Sequence, residues 1–92
     1  MELIDNKQKN RFEYKIEDNN AIVEYKIDNN VISLTHTEVP DELQGQGIAS
    51  KMTEEVLQNL SDKNLKVKPL CPFIKSYIKR NPEWKEIVAD GY

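Results

Sequence analysis

The sequence predicts a mixed α/β (α+β) fold, in which an antiparallel β-meander is followed by a helix, a strand parallel to the end of the meander, and C-terminal helices. Three observations predict it. Apolar and polar residues alternate between Phe12 and Thr37, and the alternation is interrupted by two short turns rich in Asp and Asn. After Pro40, apolar residues recur every four positions, which is helical spacing. A short strand-like segment and a second helical segment complete the chain.

The meander has three predicted strands. The first covers Phe12 to Ile16, the second covers Ala21 to Ile27, and the third is the β-branched segment from Val31 to Thr37. Turns at residues 18–20 and 28–30 join them, and connections this short favour antiparallel neighbours. Residues 1–10 show no periodicity, which is compatible with a loose arm or with a short leading strand.

The second half of the chain alternates helix, strand and helix. Ile48, Met52, Val56 and Leu60 lie on one side of a helix of about four turns. Residues 65–68 form a short strand, which a helical crossover places parallel to the third strand. Pro72 suits the first turn of a second helix, which ends before Pro82, and residues 83–88 add a last helical turn or two around Trp84. We expect residues 1–92 to form a single domain.

Composition excludes several classes of protein. A formal net charge of −3 argues against a nucleic-acid partner, because small nucleic-acid binders carry a basic excess. No apolar run is long enough to cross a bilayer, and no secretory signal is visible, so we expect a cytoplasmic protein without a membrane partner. With one cysteine and one histidine, neither an internal disulfide nor a zinc site of the usual kinds is expected. A monomer is favoured over an oligomer.

The segment from Gln44 to Ala49 lies between the third strand and the first helix. A helix N-terminus exposes unpaired backbone N–H groups, and glycines at Gly45 and Gly47 remove the β-carbons that keep a phosphate away. The segment is therefore a candidate diphosphate site, with an ordinary glycine-containing loop as the alternative. It is not a P-loop, because Lys and Ser/Thr do not follow Gly47, and the chain is too short for the second half of a dinucleotide fold.

Order and spacing resemble the cofactor loop of the GNAT superfamily of acetyltransferases, whose pattern is Gln/Arg-x-x-Gly-x-Gly/Ala after a valine. Here the pattern is supplied by Val39, Gln44, Gly47 and Ala49. Residues 67–73 and 77–84 resemble the small YjdJ-type branch of that superfamily, and the likeness covers roughly residues 22–88. Asn81 replaces an expected histidine, and Gln44 replaces the commoner arginine.

The resemblance implies acetyl-CoA as cofactor and an N-acetyltransferase activity toward an amine, either a protein lysine or a small amine. It implies that the third strand and the strand from Leu65 splay apart, that the pantetheine arm fills the gap, and that the N–H of Val39 or a neighbour polarises the thioester carbonyl. The implied cofactor-binding residues are Glu38, Val39, Gln44, Gly45, Gln46, Gly47, Ile48, Ala49, Ser50 and Cys71.

Four side chains are candidates for the chemistry. Cys71 precedes Pro72 at a helix N-cap, where a thiolate is favoured, so it is either a nucleophile or acid–base group, or a small core residue. Tyr77 lies where the resemblance implies the tyrosine that protonates the departing CoA thiolate, with core packing as the alternative. His36 and Glu38 share one face of the third strand and are either proton acceptors or a solvated strand end.

Two functions follow from these residues. The first is acetyl transfer from acetyl-CoA to an amine, supported by the position of Cys71. The second is a CoA-binding or interaction module with little turnover, supported by the short chain. A nucleotide-binding protein that uses the same turn is a third and weaker alternative.

Overall fold

A computed structural model describes residues 2–92 as one five-stranded sheet with two α-helices. The strands are β1 (Glu2–Asn6), β2 (Arg11–Ile16), β3 (Asn19–Asp28), β4 (Val31–Glu38) and β5 (Lys66–Pro69). The helices are α1 (Ile48–Asp62) and α2 (Pro72–Arg80), and short 3₁₀ helices occupy Asp41–Leu43 and Pro82–Ile87. The predicted α+β fold is confirmed. Of the two possibilities for residues 1–10, the structure has the leading strand, at Glu2–Asn6, and Met1 lies outside the described residues.

The strands lie in the order in which they occur along the chain. β1 to β4 are antiparallel neighbours, and β5 pairs with β4 in parallel after the α1 crossover. The first predicted turn was placed too late, because β2 and β3 pair as far as Ile16 and Asn19 and the connection is Glu17-Asp18. Glu17 takes up the left-handed backbone (φ 54°) that closes this two-residue connection, so Asn19 and Asn20 remain free to join β3.

One face of the sheet, here called the helix face, carries the core. Side chains directly opposite each other on neighbouring strands share a face, so Phe12 lies beside Val23, and Tyr25 lies beside Leu34. Onto them α1 packs the residues predicted from its four-residue spacing, and α2 contributes to the same cluster. The buried α-helical side chains are Ile48, Met52, Thr53, Val56, Leu57, Leu60, Ile74, Tyr77 and Ile78. The other side of the sheet is called the open face.

Two tyrosine hydroxyls form hydrogen bonds between separate elements of the fold, one from β2 to α1 and one from β3 to β1. The hydroxyl of Tyr14 in β2 donates a hydrogen bond to the Glu55 carboxylate in α1, and that of Tyr25 donates to Asp5 Oδ1 at 2.6 Å. The pKa of Tyr14 is raised to about 12. Burial of the hydroxyl is the largest cause, and the hydrogen bond to Glu55 and the negative charge of Glu55 add to it. Because the Tyr14 ring is buried and its partner is on α1, this bond fixes the helix over the sheet.

We predict that the stability of the protein falls in alkali because several buried tyrosines have a raised pKa, and that Tyr14 accounts for a measurable part of the loss. Its pKa rises from 10.0 to about 12 on folding, so the unfolded chain ionises first, and the stabilisation present below pH 10 is lost as the pH rises toward 12. Tyr14→Phe should lower the free energy of unfolding by about 1–3 kcal/mol at pH 7 and flatten this alkaline decline. Urea titrations between pH 7 and pH 12 measure both effects.

The control is Tyr92→Phe, which removes a hydroxyl from a tyrosine that is 58% exposed. It should leave the curve unchanged. Equal alkaline slopes in wild type and Tyr14→Phe would contradict the proposed role of the Tyr14–Glu55 bond.

Candidate active site

The pairing between β4 and β5 ends halfway along β4. Its last pair is Leu34 with Pro69, whereas β4 continues to Glu38. The carbonyl oxygen of Leu34 accepts two hydrogen bonds, from the N–H of Leu70 at 3.1 Å and from the N–H of Cys71 at 2.9 Å. Beyond this point the chain turns into α2, so the two strands diverge and leave a gap beside the last residues of β4. The predicted splay is therefore present.

A β-bulge at Thr35 reverses the sides of the sheet on which the side chains of the following β4 residues lie. Tyr25 pairs with Leu34 and Glu24 pairs with His36, so Thr35 is an extra residue in β4. Without the bulge, His36 would follow Leu34 onto the helix face. With the bulge, His36 lies on the open face, and Thr37 lies on the helix face opposite the buried Val23.

The glycine turn follows β4 and ends at the N-terminus of α1. Gly45 and Gly47 have φ of 81° and 75°, a backbone conformation that suits glycine, and Gly47 is the N-cap of α1. No side chain caps this helix, and the first intrahelical bond from this end runs from Lys51 N–H to Gly47 C=O at 3.1 Å. The N–H groups of residues 48–50 are therefore available for an anion.

The Gln44 side chain holds the turn closed. Its Nε2 donates to the carbonyl oxygen of Val39 at 3.2 Å and to Asp41 Oδ1 at 3.3 Å. A residue with the function of a phosphate ligand is expected to point its donor outward, so this glutamine supports the turn from within. This contact also explains how glutamine can occupy a position where the resemblance favours arginine.

A groove with a volume of about 230 Å³ runs along the glycine turn toward α2. Most of the predicted cofactor-binding residues line it, and Phe73 of α2 lines it as well, which the sequence analysis missed. The lining residues are Val39, Leu43, Gln44, Gly45, Gly47, Ile48, Ala49, Ser50 and Phe73. The sequence does contain a clue to this role, because Phe73 directly follows Pro72, the first residue of α2.

Three predicted cofactor-binding residues do not line this groove. Glu38 is exposed on the open face, because it lies directly opposite Ile22. Gln46 turns its amide back onto the carbonyl oxygen of Glu42 at 3.4 Å. Cys71 lies at the end of the β4–β5 gap, below the groove wall formed by Phe73.

Cys71 is the N-cap residue of α2, as predicted, and it is only 5% exposed. Its thiol Sγ donates a weak hydrogen bond to Thr37 Oγ1 at 3.3 Å. This contact spans the gap between the end of β4 and the start of α2. The cysteine is therefore fixed at the gap by its backbone N–H and by its side chain.

Tyr77 lies one helical turn after Phe73 on α2 and is 8% exposed. Burial raises its pKa, and the negative charges of Glu54 and Glu83 raise it further, partly offset by a hydrogen bond with Trp84. The phenol therefore keeps its proton at neutral pH and above. In chemical terms it is a proton donor on α2, one helical turn from Phe73, and it does not itself line the groove.

Residues 2–92 contain neither a candidate metal cluster nor a candidate membrane-spanning helix. Within residues 2–92, no three His, Cys, Asp or Glu side chains are grouped closely enough to hold a metal ion. No helix of this part of the chain is long and apolar enough to cross a membrane.

Curated proteins with similar sequence are the vertebrate proteins called NATD1. The proteins from Gallus gallus and Homo sapiens are each 38% identical to the chain over 52 residues, and the protein from Danio rerio is 31% identical over 51 residues. The matches cover 55–56% of the chain and 46–47% of the relatives. The matched part of the chain thus spans about half the length of these relatives.

A solved structure and a family model extend the comparison over most of the chain. The structure of a GCN5-like protein from Staphylococcus aureus was solved by NMR in solution. It superimposes on this chain with a TM-score of 0.73 at 31% sequence identity. The superposition covers 96% of this chain and 87% of the Staphylococcus aureus chain. The family model described as GCN5-related N-acetyl-transferase matches residues 11–87. These residues include the whole glycine turn, the gap and α2, and the chain belongs to the GCN5-related N-acetyltransferase family.

Proposed function

We propose that the protein transfers an acetyl group from acetyl-CoA to a primary amine. The observation that carries the proposal is the combination of a glycine turn with free helix N–H groups and a gap between β4 and β5 that continues from it. A diphosphate requires the first feature, and an extended thioester-bearing arm requires the second. The two lie end to end on the helix face.

The glycine turn suits the pyrophosphate of CoA. Three N–H groups at residues 48–50 point out of the N-terminus of α1, whose dipole adds partial positive charge. A β-carbon at Gly45 or Gly47 meets no protein atom within 4 Å, so the space beside both glycines is open to a ligand. Phe73 and Ile48 provide apolar walls for the part of the arm that follows the phosphates.

The end of β4 suits the pantetheine arm and the thioester. The Leu34 carbonyl oxygen faces β5, and the bulge then adds one residue to β4, so the alternation of a β-ladder directs the backbone groups of Thr37 and Val39 toward the gap. An extended ligand can hydrogen-bond to these groups as a strand does. An N–H donor at this position also stabilises the negative charge that develops on a thioester carbonyl oxygen during attack.

Cys71 and Tyr77 are the proposed catalytic residues. In the route through the enzyme, Cys71 loses its thiol proton to water, and its sulfur bonds to the acetyl carbon as the C–S bond to CoA breaks. An amine then takes the acetyl group, and the departing Cys71 thiolate regains a proton as the amine nitrogen loses one. In the direct route, the amine attacks acetyl-CoA itself. Both routes release CoA as a thiolate, and the protonated phenol of Tyr77 supplies its proton.

A CoA-binding module with little turnover is the second candidate. The observation that favours it is the burial of Cys71, since a thiol that is 5% exposed has little direct access to solvent. In that case the groove binds CoA, and neither route of transfer operates. Acetyl transfer itself, measured with acetyl-CoA and an amine, separates the two candidates.

The first prediction concerns cofactor binding at the turn. Gly47→Val places a β-branched side chain beside the free N–H groups and at a positive φ, and it should abolish CoA binding. Isothermal titration with CoA measures this loss, and in wild type CoA should shift the amide resonances of residues 45–49. ATP and NAD should bind far more weakly than CoA.

Gly91→Val is the matched control, because Gly91 also has a positive φ (88°) and open surroundings but lies outside the groove. It should cost similar backbone strain and leave CoA binding intact. Wild-type affinity in Gly47→Val, or no amide shifts at the turn, would refute the proposed cofactor site.

The second prediction concerns Cys71, the only cysteine of the chain. Acetyl-CoA alone should leave a hydroxylamine-labile acetyl group on the protein, because thioesters react with hydroxylamine. Intact-mass spectrometry detects the adduct, and CoA should protect Cys71 from alkylation. Cys71→Ala should abolish the adduct and lower turnover, while Cys71→Ser serves as the control for volume. An unmodified thiol together with a fully active Cys71→Ala variant would assign Cys71 to core packing.

The third prediction concerns Tyr77. Tyr77→Phe keeps the ring and removes the hydroxyl, so it should lower kcat at least about 10-fold without changing the Kd for CoA. Because the pKa of Tyr77 is raised above its ordinary value, loss of its proton should not reduce the rate of the wild type between pH 7 and pH 9. Steady-state release of CoA thiol measures kcat and its pH dependence, and isothermal titration measures the Kd for CoA. An unchanged kcat in Tyr77→Phe would exclude the phenol as the proton donor.

A further inference from the structure

We propose that His36 is the general base for the acceptor amine and that Glu24 is the positioning residue that orients its imidazole. The inference rests on the proposed acetyl transfer and assigns to it two residues on the side of the sheet opposite the cofactor groove. It rests on the register of β3 and β4, on the bulge at Thr35, and on the exposure of His36.

The bulge places His36 beside the gap but on the open face. Along β4, His36 and Glu38 flank Thr37, whose own side chain points to the helix face and contacts Cys71. The thioester position proposed beside Thr37 is therefore approached from the helix face by the acyl donor. The exposed His36 ring borders the same position from the open face, where an acceptor can enter.

Glu24 is directly opposite His36 in the β3–β4 ladder. Directly opposite residues have β-carbons about 4.5–5.5 Å apart, which is within reach of a hydrogen bond between a carboxylate and an imidazole N–H. The ion pairs of the described residues do not include His36 with Glu24, so the proposed contact requires a different side-chain rotamer from the one in the structure. A carboxylate on one ring nitrogen leaves the other nitrogen to accept a proton.

Arg11 is the charged neighbour placed to compete for Glu24, and one of its guanidinium donors is engaged by another carboxylate. Arg11 pairs with Glu24 across β2 and β3, but its guanidinium Nε is held by Glu13 Oε2 at 2.8 Å. The remaining charged groups on this part of the open face are Glu38 on the same strand as His36, Lys26 diagonally opposite on β3, and Lys68 on β5 beside Ser33.

In the proposed reaction, His36 has the task of removing one proton from the acceptor ammonium group. The acceptor enters as an ammonium ion, and the His36 imidazole takes one proton to free the nitrogen lone pair. The nitrogen then bonds to the acetyl carbon as the thioester C–S bond breaks. A second N–H proton leaves the nitrogen and balances the protonation of the thiolate, and the amide keeps the third hydrogen. His36 returns its proton to solvent, and the same task applies whether the acetyl group is on CoA or on Cys71.

The test is a double-mutant cycle in which CoA thiol release is followed with acetyl-CoA and two probe amines, spermidine and a lysine-containing peptide. His36→Gln should lower kcat/KM about 100-fold or more at pH 7 and leave CoA affinity unchanged. The deficit should shrink toward pH 10, because a lysine amine loses its own proton near pH 10.4. His36 is the only histidine, so no other imidazole can replace it.

Glu24→Gln should lower kcat/KM about 10-fold in the wild-type background and should have no further effect in the His36→Gln background. A purely structural role of Glu24 would lower activity equally in both backgrounds, and that result would overturn its assignment. The matched control is Glu2→Gln, which removes an exposed carboxylate from the same face at the far edge of the sheet and should leave activity unchanged.

The outcomes separate this inference from the proposed function. If the wild type acetylates a probe amine and His36→Gln retains full kcat/KM at pH 7, the assignment of His36 is wrong while acetyl transfer stands. If the wild type binds CoA and releases no thiol with either amine, the acetyltransferase function itself fails, and the assignment of His36 fails with it.

Discussion

The carbonyl oxygen of Leu34 is the point on which the arrangement of the site depends. It accepts the N–H groups of both Leu70 and Cys71, so the β4–β5 ladder stops there. Leu70 N–H also approaches the carbonyl oxygen of Lys68 at 3.0 Å, which turns the chain, and Pro72 then begins α2. The gap beside the end of β4 is therefore a consequence of a chain reversal that is itself hydrogen-bonded. A ladder continued for two more residues would fill the gap with backbone.

The bulge at Thr35 gives the two sides of this gap different chemistry. On the helix face the gap meets Thr37, Cys71 and the groove that leads to the glycine turn. On the open face it meets charged and titratable side chains, because the extra residue turns His36 and Glu38 away from the core. A single inserted residue thus separates the groove side of the gap from the side that carries titratable groups, and the proposed transfer from an acyl donor to a cationic acceptor depends on that separation.

Much of the fold could be predicted from the sequence, because it depends on local patterns. The alternation in β2 to β4, the four-residue spacing in α1 and Pro72 at the start of α2 each reflect one periodicity or one backbone restriction. The contacts between distant segments could not be predicted. Nothing local reveals the bulge at Thr35, since its sequence continues the β-branched run, and Phe73 joins the groove only because β5 ends where it does. The glycine turn was recognisable because its chemistry is carried by consecutive residues, whereas Glu24 and His36 are placed opposite each other only by the register.

The burial of Cys71 bears differently on solvent reagents and on a bound acyl donor. Its thiol donates to Thr37 Oγ1, and its backbone N–H is held by Leu34, so the sulfur cannot swing out to solvent without breaking the contacts that define the gap. An alkylating agent in solution meets a residue that is 5% exposed, but a thioester lying in the gap would approach along the line of the Thr37 contact. A slow reaction with solvent reagents and a faster one with acetyl-CoA are therefore compatible. In this geometry the S–H proton is directed at Thr37 Oγ1 and the sulfur lone pairs stay free, so acyl transfer to Cys71 requires that this proton leave the thiol.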